Sequence, residues 1–245
     1  MNFPHQLLEL LNKKSRVAVL TGAGISAESG LPTFRGAGGW WRQYRAEDLA
    51  TPEAFSRDPR LVWEWYQHRR EAVKRHQPNA GHVALARLQN FVGDLTVITQ
   101  CVDDYHRQAG QNEVIELHGN ILRNRCSVCQ KIEPDRAENW REGLAYCSCG
   151  GLHRPAVVWF GENLPQQALK QAFHAAENCV AFFSIGTSAL VYPAAQLPQA
   201  AHAAGAYLVE INLEETPLTS LAQLFIPQPA GEALPGLIHA LQKVS

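Results

Sequence analysis

The sequence predicts an α/β fold, a mostly parallel sheet covered by helices on both faces, with a second and smaller lobe. Three observations predict it. Short β-branched or apolar runs recur at Arg16–Leu20, Leu95–Thr99, Val157–Phe160, Val180–Ile185 and Ala206–Ile211. Helix-length segments lie among them at Pro59–His76, Asn79–Asn90, Gln166–Asn178 and Ala194–Ala204. Two stretches, about Gly36 to Gln77 and roughly Leu122–His153, break the rhythm and read as insertions that build the smaller lobe.

With 245 residues, 46% hydrophobic and 18% charged, the chain can bury a large core and is not expected to be disordered. Lys and Arg (22) balance Asp and Glu (23), so no bulk attraction to nucleic acid or a membrane surface is expected. The longest apolar stretches, such as Cys179–Ile185, fall far short of a membrane span.

Along the chain, Met1–Lys14 carries Phe3, Leu7, Leu8, Leu10 and Leu11 in the pattern of a short amphipathic helix. It lacks a basic segment leading into an apolar one, so no secretory signal is read and the cytoplasm is expected. Arg16–Leu20 then runs into Thr21-Gly22-Ala23-Gly24, a buried strand entering a helix through a glycine turn. Glycines there let a backbone approach a pyrophosphate, although the spacing is not a G-x-G-x-x-G and suits a purely structural turn as well. In Pro59–His76, residues Leu61, Val62, Trp65, Tyr66, Arg69 and Val73 share one stripe. Arg69 thus falls on an apolar face, where a guanidinium needs an anion. Two readings remain open: a carboxylate clamp assisted by Tyr66, or an internal salt bridge.

The loops after three strands are unusual: GAGISAESG, QCVDDYH and GTSALVYP. In a doubly wound sheet, ligands bind at such carboxyl ends. Glu116-Leu117-His118-Gly119 offers a histidine suited to general-base work, one of ten in the chain. Four of the six cysteines cluster as Cys126-x-x-Cys129, seventeen residues, then Cys147-x-Cys149. Two close thiol pairs suit tetrahedral zinc in a closed structural site, against free core thiols or a redox pair.

These residues occur in the order GAGISAESGLPTFRG, Gln100-Cys101-Val102-Asp103, His118-Gly119, the paired cysteines, RPAVVWFGE, Gly186-Thr187-Ser188 and Ile211-Asn212-Leu213-Glu214. The set resembles the sirtuin family of NAD-dependent protein deacylases from about Arg16 to Leu237. The resemblance implies a Rossmann-like domain over about 1–35, 78–121 and 154–245. A small domain would comprise about 36–77, helical and holding the acyl pocket, and 122–153, a zinc module. NAD would lie between the two. Gly22, Ala23, Gly24, Ser26, Ala27, Thr33 and Trp41 would cradle its phosphates and nicotinamide ribose, with Phe34 over the reactive carbon and Arg35 nearby. Gln100, Cys101 and Val102 would line the ribose, and Asp103 would hold the carboxamide. Gly186, Thr187, Ser188, Asn212, Leu213 and Glu214 would hold the adenosine side, closed by Ala230.

The implied reaction uses His118 as general base and yields nicotinamide, O-acyl-ADP-ribose and free lysine. Zinc on Cys126, Cys129, Cys147 and Cys149 would take no part. The substrate peptide would pair as an added strand with backbone near Val158–Gly161, with Val158, Phe160 and Gly161 as its contacts, and near Gly186–Tyr192. A subgroup similar to mitochondrial and bacterial desuccinylases carries Tyr-x-x-Arg in the same helix, with a small residue before it. Here these are Tyr66, Arg69 and Ala50. The expected partners are therefore proteins bearing succinyl-, malonyl- or acetyl-lysine, met by a monomer.

The chain departs from the family pattern at Cys101, where Asn is usual, and at Tyr105, where Leu is usual. A thiol is a weak donor and acceptor beside an amide. Losing one buried hydrogen bond costs roughly 1–3 kcal/mol, so turnover is expected to be reduced. The alternatives are a nucleotide-binding relative without activity and a mono-ADP-ribosyltransferase.

Overall fold

Val17, Ala18, Val19 and Leu20 are each no more than 2% exposed, so the first strand is covered on both sides of its pleat and belongs mid-sheet. A computed structural model describes residues 3–31, 40–41 and 44–244. It shows six parallel strands in the spatial order Leu224–Ile226, Tyr207–Ile211, Ala181–Ile185, Arg16–Thr21, Asp94–Thr99 and Val114–Glu116. Chain order reverses at Arg16–Thr21, which makes the carboxyl ends of its neighbours the natural crevice.

Alternation then sorts the core. Val17 and Val19 face one apolar layer with Ile25, Leu85, Leu88, Leu234 and Leu237. Ala18 and Leu20 face the other, with Ala172, Ala176, Phe182, Leu197 and Leu208. Helices Ala80–Leu88 and Ala230–Val244 supply the first layer, and Gln166–Glu177 with Leu197–Ala203 the second. Among the described residues no helix is long and apolar enough to cross a membrane.

A third apolar cluster joins the helix Pro59–Arg75 to an antiparallel sheet of His153–Val157, Gly119–Cys126 and Ile132–Pro134. Asp58 caps this helix by accepting from Leu61 N at 3.0 Å, with Pro59 at its start. Arg70 fixes it in place. The side chain is 1% exposed and donates to Ile121 O (2.6 Å), Arg123 O (3.0 Å) and Asn124 Oδ1 (2.6 Å). Asp135 lies 3.1 Å away as its counter-ion. The fully buried guanidinium of this helix is therefore Arg70, whereas the periodicity singled out its neighbour Arg69.

Val157–Phe160 is not a strand of the parallel sheet. The strand there is His153–Val157, at the edge of the antiparallel sheet, with a register shift between Pro155 and Val157. Pro155 has no N–H to give a ladder, which restricts it to an edge. Val114–Glu116 and Leu224–Ile226 are three residues each, too short to display an alternation. The helix Ala230–Val244 was not read from the sequence, because Gly231, Pro235 and Gly236 dilute its helical signal.

Beneath the first strand's end, Thr21 Oγ1 lies 2.8 Å from Thr99 Oγ1 and 2.9 Å from His106 Nε2. Burial pulls the pKa of His82 down to about 4 and that of His106 to about 3, where the adjacent His82 adds to the effect. Unfolded histidines protonate near pH 6.5, so between that pH and about 4 only the unfolded state takes up these protons. Their contribution is complete above pH 6.5 and is lost as pH falls. Melting temperature should decline from pH 6.5 to 4.5 by calorimetry, and less steeply in His106→Gln.

Candidate active site

Two loops meet at the sheet's switch point. Gly22 N donates to Ile185 O and Gly24 N to Gly186 O, each at 2.9 Å. A Cβ on Gly22 would lie 2.6 Å from Gly186 O, and one on Gly24 would lie 2.6 Å from Gly186 Cα. Gly186 itself has φ +58°, in the left-handed region. The glycines therefore serve first to bring two backbones together.

Beside this contact opens a cleft of about 700 Å³. Its glycine-rich side is lined by Gly22, Ala23, Gly24, Gln100, Val102, Gly186, Thr187, Ser188, Asn212, Leu213 and Glu214. Ala50, Tyr66, Arg69, Trp159, Val158, Phe160, Gly161 and His118 also line it. Gln100 Nε2 donates to Thr187 Oγ1 at 3.1 Å, and Asn212 Nδ2 to Thr187 O at 2.9 Å. Trp41 falls in the short strand Trp40–Trp41. Thr33, Phe34 and Arg35 lie outside the described residues.

Other expected residues sit elsewhere. Ala27 is exposed, beyond the cleft lining. Ala230 is 5% exposed and packs in the core against Gly81. Ser26 is buried and donates to Asp103 Oδ2 at 2.7 Å. Burial raises the pKa of Asp103, while hydrogen bonds from Tyr105 N and Ser26 oppose the rise. Cys101 lies beneath the glycine turn, its thiol 3.2 Å from Gly22 O and 3.6 Å from Ser26 Oγ. Burial pushes its pKa up to about 12, so it is a protonated core thiol with little redox reactivity. Tyr105 is fully buried and donates to Val73 O at 2.9 Å, tying this loop to the Pro59–Arg75 helix.

His118 Nδ1 lies 3.0 Å from Gln100 O. A carbonyl only accepts, so Nδ1 carries the proton and Nε2 is left with a lone pair. Burial lowers the His118 pKa, against the pull of that hydrogen bond. A neutral imidazole with a fixed tautomer is the form a general base requires.

At the opposite end, Trp159 Nε1 donates to Tyr66 Oη at 2.8 Å. Ala50 O accepts from Phe160 N at 2.9 Å, holding the rim against the small residue. Arg69 Cζ lies 5.3 Å from the centroid of the Trp65 ring. Burial lowers the Arg69 pKa, opposed by Tyr66 and Asp103. Sequence reasoning placed Trp159 within the peptide-pairing segment but missed its side-chain bond, because nothing in local spacing ties it to a tyrosine 93 residues away.

The comparisons agree on one family. The Sir2 family model matches residues 22–193. An NAD-dependent protein deacylase of Pyrococcus furiosus is 48% identical over 247 residues, covering 98% of each chain. One from Methylococcus capsulatus is 47% identical, covering 99% of each. The chain belongs to the Sir2 family. A crystal structure of a Sir2 homologue in complex with NAD is similar at TM-score 0.91 and 43% identity, over 99% of this chain and 95% of that one.

The cysteine cluster of this Sir2 chain fits one structural zinc. All four sulfurs lie within 4.8 Å of one another, with Cys126–Cys149 at 3.5 Å and Cys129–Cys147 at 3.7 Å. Tetrahedral zinc with Zn–S of about 2.3 Å sets sulfurs roughly 3.8 Å apart. The tight C-x-C pair is accommodated by Gly150 at φ +85° and by Gly151, whose Cβ would meet Cys126 Sγ at 2.7 Å. Purified protein should carry one zinc per chain by elemental analysis. Cys147→Ser should lose the metal and melt lower; a metal-free protein with an unchanged melt would contradict the assignment.

Proposed function

We propose that this Sir2-family chain, an NAD-dependent protein deacylase, favours lysine acyl groups that end in a carboxylate, succinyl or malonyl, while retaining some action on acetyl-lysine. The observation that carries this reading is that Tyr66 and Arg69, close enough to interact electrostatically, both line the cleft together with Ala50. A guanidinium and a phenol match a carboxylate, and Ala50 leaves room for a longer chain. The rival reading, an internal salt bridge, would set Arg69 against Asp103, whose charge opposes the fall of the Arg69 pKa.

The glycine-lined half is assigned to NAD. Gly22, Ala23 and Gly24 would hold the phosphates, Gln100 the nicotinamide ribose, and Thr187, Ser188, Asn212 and Glu214 the adenosine side. When bound, NAD supplies the electrophilic ribose carbon that nicotinamide leaves and the hydroxyl that accepts the acyl group. His118 Nε2 would serve as the base for that hydroxyl, with Gln100 O holding the ring's other nitrogen. Asp103, held by Ser26 and the Tyr105 amide, would position the carboxamide.

The acylated protein would lie along the rim. The amides of Val158, Trp159 and Phe160 already donate to His118 O, Glu162 Oε2 and Ala50 O. The N–H groups of a substrate strand would therefore donate to carbonyl oxygens of alternate residues in this segment. Burial of Cys101 away from the cleft lining supports a working site over a nucleotide-binding relic.

Nicotinamide release with matched peptides tests the proposal. His118→Ala should slow turnover about 10²- to 10⁴-fold at an unchanged melting temperature. The acid limb of kcat should fall below pH 6.5, following the lowered His118 pKa. Arg69→Met should raise KM for a succinyl peptide about 10- to 100-fold, far more than for an acetyl peptide. Equal losses on both peptides would refute the carboxylate clamp.

A further inference from the structure

Trp159 is held on three sides. Its backbone amide donates to Glu162 Oε2 at 2.9 Å. Arg154 stacks on its ring with Cζ 3.4 Å from the centroid. The same guanidinium donates to both Glu162 oxygens, at 2.5 and 2.8 Å, and to Val157 O at 2.8 Å. The indole edge is then fixed by the 2.8 Å bond to Tyr66 Oη. Trp159 and Tyr66 are 3% and 2% exposed, so water has little part in this arrangement.

We propose that Trp159 is a positioning residue for acyl recognition, using its indole N–H to commit the Tyr66 hydroxyl proton to the substrate's distal carboxylate. The inference rests on the reading of the cleft as a site for acidic acyl groups. An indole nitrogen only donates, so Tyr66 Oη is the acceptor in this bond. A phenol has one proton, and this contact does not use it. The cationic neighbours Arg69 and Arg154 are donors and cannot receive it. Glu162 is turned to Arg154 and to the Trp159 amide. Among the described residues no hydrogen bond takes up this proton; a carboxylate on the acyl chain would accept it, and an acetyl group cannot. A site built around a buried donor discriminates against substrates that leave the donor unmatched.

Trp159 also sits in the rim segment along which the peptide would lie. Peptide docking and carboxylate recognition thus meet in one residue, which no other contact of Tyr66 described above achieves.

The test uses the full chain as wild type, Trp159→Phe, Tyr66→Phe and the double variant. KM and kcat are measured for succinyl- and acetyl-lysine peptides of one sequence. Trp159→Phe should lower the succinyl-to-acetyl ratio of kcat/KM about 5- to 10-fold, through the succinyl KM and not through kcat. In the Tyr66→Phe background the same change should lower that ratio no further. A ratio that survives Trp159→Phe, or losses that add in the double variant, would overturn the role. A wild-type ratio at or below one would instead remove the acidic-acyl reading, and this role with it. If Trp159→Phe does not fold, Tyr66→Phe alone decides. One indole N–H resonance should shift and exchange faster with solvent in that variant, and an unchanged set of indole resonances overturns the hydrogen bond.

Discussion

The nucleotide side of the cleft depends on a close approach of backbones at the switch point of the sheet, where the turn after Arg16–Thr21 touches the turn after Ala181–Ile185. Gly22, Gly24 and Gly186 form that contact, and a Cβ on any of them would come within 2.6 Å of the facing backbone. The remaining nucleotide-side geometry hangs from the same place. Thr21 O receives Gln100 N at 2.9 Å, and Gln100 O in turn holds His118 Nδ1 at 3.0 Å. Gln100 Nε2 reaches Thr187, whose carbonyl fixes Asn212. A side chain at the glycine contact would shift the base and the nucleotide loops together, with the overpacking cost of about 1–3 kcal/mol typical of a filled interior.

The acyl side is governed by a second constraint, the burial of Arg70. Its bonds to Ile121 O, Arg123 O and Asn124 attach the Pro59–Arg75 helix to the strand that ends in Cys126. Tyr66 and Arg69, one turn and one residue earlier, are thereby set against Trp159 and Ala50. At the far end of that strand Cys126 joins the four-cysteine cluster, where a zinc ion would close the module. It thus supports the pocket wall without approaching the chemistry, as a closed four-sulfur site should.

Much of this was legible in the sequence for identifiable reasons. Strands buried on both faces leave continuous apolar runs, so Arg16–Thr21, Asp94–Thr99, Ala181–Ile185 and Tyr207–Ile211 could be read directly. Paired cysteines advertise a metal through spacing alone. The proposed clamp was half legible: periodicity placed Tyr66 and Arg69 on one stripe but could not tell that Arg70, one residue on, was the guanidinium facing the core. The Trp159–Tyr66 bond was invisible, since it joins segments that only the tertiary fold brings together. The same holds for Cys101, which the family motif would set at the ribose and which the packing turns under the glycine loop.

The account stands on the claim that the two halves of the cleft serve one reaction, with the acyl half built for a negative charge. The most direct measurement is nicotinamide release from NAD by the unmodified chain, with succinyl-lysine and acetyl-lysine peptides of identical sequence. The account predicts release with both and a kcat/KM for the succinyl peptide at least about tenfold higher, the worth of one charged hydrogen bond. Equal efficiency, or a preference for acetyl-lysine, would contradict it.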